Sequence, residues 1–219
     1  MIVSTDFQNV YTRTESVHTD KRSNRIYKRL FDVLIASLVT LLVLVWLIPL
    51  VGLAIKLTSP GPILFIQLRT GRYGRAFRCF KFRTMTHEAS KKFAQVTRND
   101  PAITPIGQFL RKNSLDELPQ FLNVLMGEMS VVGPRPHAVD HDKEFWSIIP
   151  YYPNRYAVRP GITGLAQVRG ARGLTETTQK MARRVRYDLH YIKNRSLLLD
   201  VLICWWTIKT VFQGDENVW

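Results

Sequence analysis

Apolar residues first gather in one long block. Residues 33–55 run 23 positions without a charge, VLIASLVTLLVLVWLIPLVGLAI. A hydrocarbon core needs about 20 apolar helical residues, so the block predicts a membrane helix rather than the core helix of a soluble domain. It is too long for a signal peptide, Asp32 and a basic run precede it, and no small-residue cleavage site follows. Pro49 removes a backbone donor inside it and predicts a bend. Ser59-Pro60-Gly61-Pro62 then ends it.

Shorter patterns follow. Residues 63–68 and 76–82 are strand-like and joined by Thr70-Gly71-Arg72-Tyr73-Gly74, a hairpin signal. Residues 86–104 are polar and predict a loop with a helical piece. Across 105–125 apolar positions recur at helical spacing, interrupted around Asn113-Ser114. Val131-Val132 opens a short apolar run that ends in the stiff Gly133-Pro134-Arg135-Pro136. Helices are predicted over 137–149 and 175–193, with a second stiff loop at 159–164 between them. Residues 196–212, carrying Trp205 and Trp206, are short for a span; they suit the membrane interface or a buried core helix. The fold class is α+β, mainly helical. Residues 1–24 form a polar tail, 25–58 the membrane helix with its basic approach, 59–212 one catalytic unit holding the small β-hairpin, and 213–219 a short tail.

Charge decides the setting. Lysine and arginine number 31 against 17 acids, a net +14, which suits nucleic acid, an anionic membrane surface or phosphorylated substrates. The basic residues flank the apolar block on both sides: Lys21, Arg22, Arg25, Lys28 and Arg29 before it, Lys56, Arg69, Arg72, Arg75 and Arg78 after it. Basic flanks stay cytoplasmic, so a helix that enters, kinks and returns satisfies both; a kinked spanning helix is the alternative. Phe77, Phe80 and Phe82 interleave with basic residues as in nucleic-acid binders, but anionic lipid already explains that charge and no recognition motif is present. No nucleic-acid partner is therefore expected. Cys79 and Cys204 form neither a disulfide framework nor a metal-ligand spacing, consistent with a reduced cytoplasmic face.

Candidate chemistry centres on Ser114-Leu115-Asp116-Glu117-Leu118-Pro119. Ser114 and Glu117 have capping-box spacing, which would set both acids at the positive end of a helix, beside a bound cation or phosphate. Standing alone, they would pass as capping acids. Arg135, fixed between two prolines, is ready to pair phosphate with little entropy loss. Arg159-Pro160-Gly161 repeats the device, with Gly161 and Gly164 letting backbone amides approach an anion. Together these supply a nucleophile, a charge clamp and a cation site for phosphoryl transfer. A rival constellation is His137, Asp140, His141 and Glu144, on one helix face at metal-ligand spacing, although a solvated polar face is the commoner reason for it. A basic membrane-surface scaffold without chemistry is the alternative from another class.

Taken together, the blocks KRLFDVLIAS, KLTSPGPILFIQLRTG, FKFRTM, LRKNSLDELPQFLNVLMGEMSVVGPRP, VRPGITGLAQV and YDLHYIKNRSLLLDV resemble the bacterial sugar transferase family, small monotopic phosphoglycosyl transferases, over residues 27–212. The resemblance implies a re-entrant helix, a catalytic unit on the cytoplasmic face of the bacterial inner membrane, and Mg²⁺. It implies that Asp116 attacks the β-phosphorus of a UDP-sugar, releasing UMP and leaving a phosphosugar–aspartyl intermediate that undecaprenyl phosphate takes up. Asp116 and Glu117 would hold the metal, Glu117 otherwise handling a proton, and Arg111, Arg135, Lys81 and Arg83 would contact the substrate, joined by Arg159 of the second stiff loop. The carboxy-terminal half is more similar to hexose-1-phosphate transferases of exopolysaccharide pathways, favouring UDP-glucose or UDP-galactose. One departure is Ile48-Pro49 where members carry Ser-Pro, about one turn closer to the following Ser-Pro-Gly.

Overall fold

A computed structural model describes residues 22–86, 100–175 and 177–213; the expectations for 1–21, 87–99 and 214–219 lie outside the described residues. The apolar block is part of one continuous helix, Ser23–Thr58, 36 residues long. It comprises α1 (Arg22–Val39), a π-helical turn (Thr40–Leu44) and α2 (Val45–Thr58). The expected irregularity therefore falls before Pro49, with Val45 N–H reaching back five residues to the Thr40 carbonyl. A proline cannot close its own rung and crowds the carbonyl four residues back; one extra residue in the preceding turn accommodates that. Ser59, before Pro60, is extended and stops the helix.

One stripe of this helix is buried along its whole length: Asp32, Ala36, Leu44, Val51 and Ile55. Its opposite face exposes Leu34, Leu38, Leu42, Trp46, Leu50 and Leu57. Both ends dock on the rest of the chain. Near the start, Arg29 donates to the carbonyls of Val124 (2.7 Å) and Leu125 (3.1 Å), capping the end of another helix. Asp32 accepts from Lys28 (2.9 Å), from the Ser130 hydroxyl (3.0 Å) and from Val131 N–H (3.0 Å). Near the end, Val51 and Ile55 share a core with Phe82 and Leu110.

Strands β1 (Leu64–Thr70) and β2 (Ala76–Phe82) form the predicted hairpin, antiparallel from Leu64↔Phe82 to Thr70↔Ala76. Helix α3 (Pro105–Lys112) starts on Thr104, whose hydroxyl accepts from Gly107 N–H. It ends where predicted, because Ser114 adopts a left-handed conformation (φ 56°). A 3₁₀ turn (Leu115–Glu117) and α4 (Gln120–Leu125) follow. The short apolar run is strand β3 (Ser130–Val132), parallel to β4 (Gly161–Thr163). Between them lie α5 (Val139–Phe145), shorter than predicted, and a 3₁₀ segment (Tyr152–Ala157). The chain closes with α6 (Leu165–Val168), α7 (Thr178–Asn194) and α8 (Leu197–Gln213). Helix α8 is two-faced: Asp200 and Ile203 are buried, while Leu198, Val201, Trp205 and Ile208 are exposed. Lys28 ties α8 to α1 through Asp200 at 2.9 Å.

Candidate active site

The main core gathers Ala36 and Leu44 of the long helix with Cys79, Phe121, Val124 and Met129. That packing brings β2 against α4, and Asn123 fixes the register. Its amide accepts from Phe80 N–H (3.0 Å) and donates to the Arg78 carbonyl (2.7 Å) and to Glu128 (2.7 Å). Lys81, next along β2, thereby meets the turn that carries the two acids.

Glu117 is buried and held from two sides. Lys81 Nζ lies 2.7 Å from Oε1, and Arg135 Nη1 donates to Oε2 at 2.8 Å. The second Arg135 nitrogen, Nη2, donates to Oε1, which makes the pair bidentate. Burial alone would push the Glu117 carboxyl up; Arg135 and Lys81 outweigh it and hold it well below the usual range. Asp116 is equally buried but less committed, with Lys81 3.7 Å from Oδ2, beyond hydrogen-bond length. Burial, helped by the Glu117 charge, raises its carboxyl, while Lys81, Arg111 and Arg135 pull the other way. Two adjacent carboxylates thus sit in opposite electrostatic states.

The capping box does not form. Ser114 makes no side-chain cap bond; its hydroxyl accepts from Arg172 at 2.9 Å. The acids occupy a 3₁₀ turn ahead of α4, so cationic side chains rather than a helix end set their charge state. Arg111 reaches the site edge, donating from Nε to the Thr84 hydroxyl at 2.9 Å and feeling the Asp116 charge. Gly107 permits this placement, because a Cβ there would lie 2.0 Å from the Thr84 carbonyl oxygen.

Two predicted substrate residues are placed elsewhere. Arg83 is buried and donates to the carbonyls of Ser59 (2.8 Å) and Pro60, stapling the helix break. Arg159 donates to the Gly127 carbonyl (2.7 Å) and lies against Arg29 and Asp32. The glycines of its loop serve protein contacts rather than an anion. Gly161 N–H donates to the Pro134 carbonyl (2.9 Å), and a Cβ on Gly161 would meet Gly133 N at 2.1 Å.

A buried network whose arginine no local sequence pattern marks lies behind Arg135. Arg155, with no exposed side-chain surface, donates to Asp188 (2.7 Å) and to the Arg135 carbonyl (2.9 Å). Its Nη1 donates to His137 Nδ1 at 2.7 Å. Burial and the Arg155 charge push His137 well down, so it is neutral. The rival metal constellation does not converge: His141 pairs with the Thr175 hydroxyl (3.1 Å), and Asp140 pairs with Lys143 at the surface. One signal was available, since Asp188 falls in the apolar register Met181–Val185–Tyr191–Ile192 of α7. Cys79, behind the site on β2, is kept protonated by burial.

Fold and site define a membrane-associated α+β protein whose centre is a carboxylate pair enclosed by cations. Residues 23–214 match the family described as bacterial sugar transferase, and the chain belongs to it. It is 49% identical over 195 residues to a UDP-glucose:undecaprenyl-phosphate glucose-1-phosphate transferase of Klebsiella pneumoniae, covering 89% of this chain and 41% of that protein. It is 46% identical over 188 residues to the exopolysaccharide production protein PSS of Rhizobium leguminosarum bv. phaseoli, covering 84% of this chain and 94% of that one. An Aeromonas hydrophila UDP-N-acetylgalactosamine-undecaprenyl-phosphate N-acetylgalactosaminephosphotransferase is 45% identical over 161 residues, 73% of this chain and 38% of the relative. The chain thus spans about two fifths of the length of the Klebsiella relative.

Proposed function

We propose that the chain transfers a hexose 1-phosphate from a UDP-sugar to undecaprenyl phosphate, with Asp116 as nucleophile. The observation that carries this reading is the unequal grip on the two acids: Glu117 is clamped through both oxygens at hydrogen-bond length, whereas Lys81 stands 3.7 Å from Asp116, beyond it. A nucleophile needs a lone pair free of strong donors, and an electrostatic anchor needs the reverse. An Asp116 oxygen attacks the β-phosphorus, the bond to the bridging oxygen breaks, and UMP leaves with that oxygen. A phosphate oxygen of the lipid then attacks the aspartyl-bound phosphorus, the aspartyl P–O bond breaks, and Asp116 is regenerated. Lys81, Arg111 and Arg135 spread the charge that builds on the phosphoryl oxygens.

Mg²⁺ fits as an ion carried in by the diphosphate: Arg135 and Lys81 engage both Glu117 oxygens, so Asp116 is the carboxylate with room for it, and the ion would neutralise diphosphate charge. This revises the expectation that both acids are ligands. The names of the Klebsiella and Aeromonas relatives support a nucleotide-sugar donor and undecaprenyl phosphate acceptor, and the former favours UDP-glucose as the donor. The Rhizobium relative's name supports a role in exopolysaccharide production.

A monotopic orientation on the cytoplasmic face of the inner membrane is supported by the stripe that buries the long helix against the catalytic fold from Asp32 to Ile55. The exposed faces of α1–α2 and α8 form the apolar surface that such an orientation immerses. The test is UMP release by the purified chain from UDP-glucose with undecaprenyl phosphate and Mg²⁺. Turnover by wild type and none by Asp116→Asn is expected. No turnover with any UDP-hexose would leave the scaffold alternative instead.

A further inference from the structure

A cavity of about 600 Å³ lies between α7 and α8, over α6. One wall is a stripe of α7, where Arg183, Arg186, Tyr187 and His190 recur at the three- and four-residue spacing of one helix face. The other wall is Leu199 and Trp206 of α8; Leu165 of α6 and Arg169 just after it complete the lining. Leu165 is buried and Tyr187, Leu199 and Trp206 are half-buried, whereas Arg169, Arg183, Arg186 and His190 are exposed. The cleft is thus apolar in depth and basic at its rim. Two rim cations lie over its aromatic rings, Arg169 over Trp206 at 4.7 Å and Arg183 over Tyr187 at 5.9 Å. Such a lining matches an anion that carries an apolar chain: guanidinium groups pair phosphate, and rings and leucines take the chain. A merely solvated helix face would present the same arginines without an apolar cleft beneath them.

Residues 169–173 join this cleft to the reacting centre. Arg169 lines the cleft, while Arg172 donates to the Ser114 hydroxyl at 2.9 Å and its charge acts on Glu117. Arg184 pins the segment to α7, donating to the carbonyls of Ala171 (3.0 Å) and Gly173 (2.8 Å). The α8 wall belongs to the helix whose outer face carries Leu198, Val201, Trp205 and Ile208. A lipid can therefore enter from the bilayer without its chain crossing water, a route that a nucleotide sugar arriving from solution does not need.

Transfer through Asp116 calls for such a place. Two successive in-line displacements at one phosphorus bring the lipid phosphate in along the line by which UMP left. Lys81, Arg111 and Arg135 then serve each phosphate in turn and cannot by themselves tell the lipid from UMP. Selection of the lipid has to come from contacts with its chain.

We propose that the α7–α8 cleft docks the polyprenyl phosphate acceptor. Arg169, Arg183 and Arg186 hold its phosphate, and Tyr187, Leu199 and Trp206 take its first isoprene units, before the phosphate advances to Asp116. This site rests on the transfer reaction and the membrane orientation proposed above.

The experiment separates the two half-reactions of the purified full chain in neutral detergent with Mg²⁺. Exchange of labelled UMP into UDP-glucose without lipid reads attack by Asp116, and UMP release against undecaprenyl phosphate concentration reads the acceptor. Arg183→Gln/Arg186→Gln should keep exchange and the KM for UDP-glucose within about twofold of wild type, yet need about tenfold or more undecaprenyl phosphate for half-maximal release. Lys143→Gln, on the surface of α5, should change neither. An unaltered acceptor requirement in the double variant overturns the proposal. So does an equal loss of exchange or a raised KM for UDP-glucose, which would make the cleft a donor site. Phosphatidylglycerol should raise the acceptor requirement of wild type no more than phosphatidylcholine does; a greater rise would make this a general site for lipid phosphates and refute acceptor docking. Should the double variant not fold, Arg186→Gln alone replaces it, with an increase of about threefold expected and no increase counting against the site. Absence of both exchange and turnover in wild type would instead sink the transfer reaction, and this site with it.

Discussion

Arg135 closes on Glu117 with both guanidinium Nη groups, Nη1 at 2.8 Å from Oε2, and Lys81 reaches the same carboxylate at 2.7 Å. Removing the charge from Glu117 would strand a largely buried arginine, and breaking such a pair from one side costs roughly 3 kcal/mol. Glu117→Gln is therefore expected to lower the thermal midpoint by about 6–10 °C, along with most of the activity. Differential scanning fluorimetry beside UMP release reads both.

Asp116→Asn should behave differently. Burial raises the Asp116 carboxyl, so its ionised form works against folding at neutral pH, whereas the depressed Glu117 carboxyl works for it. The asparagine variant is expected to melt no lower than wild type while releasing no UMP. A large drop in its melting temperature would mean that Asp116 is a structural anchor.

The same asymmetry sets the pH dependence. Attack requires ionised Asp116, so the acid limb of kcat/KM should lie above the ordinary aspartate value of about 3.9. Lys81 lowers the Asp116 carboxyl. Lys81→Ala should thus move the limb to higher pH as well as reducing the rate. A limb that stays in place would separate Lys81 from the nucleophile.

Residue type alone made Lys81, Asp116, Glu117 and Arg135 legible, because a carboxylate pair and stiffly held cations have few other uses together. Direction was not legible. Arg83 and Arg159 sit in equally basic or stiff local sequence, yet their partners lie 24 and 32 residues away and are fixed only when the chain folds. Ser114 had the spacing of a cap, but its left-handed backbone turned the hydroxyl toward Arg172. The break it makes in the helix was visible as a lapse in apolar period. Arg155 was invisible, since nothing in Tyr152-Pro153-Asn154-Arg155 marks a buried arginine.

Arg155 holds the Arg135 carbonyl and Asp188 at once, from a site with no exposed side-chain surface. Arg155→Ala would leave Asp188 buried and unpaired, at a cost of about 3–5 kcal/mol. Asp188→Asn keeps a hydrogen-bond acceptor there and should be milder. If the network positions Arg135, Asp188→Asn raises KM for the UDP-sugar more than it lowers the melting temperature. Equal KM values would confine Arg155 and Asp188 to stability.

The long helix makes the sharpest topological prediction. Its docked stripe runs from Asp32 to Ile55, roughly 35 Å at helical rise, against a hydrocarbon core of about 30 Å. A perpendicular crossing would drag the Asp32–Ser130 and Arg29–Val124 bonds through the bilayer with the domain that makes them. A shallow, returning helix immerses only its outer face and keeps both basic ends with the catalytic unit. Cysteines introduced one at a time at Asn24 and Lys56, in a Cys204→Ala background whose remaining Cys79 is buried, test this with a membrane-impermeant maleimide. Both should react in inside-out vesicles and neither in intact spheroplasts. Reaction of one site from the periplasmic side would establish a span, and the docked stripe would then need to separate from the domain in the membrane.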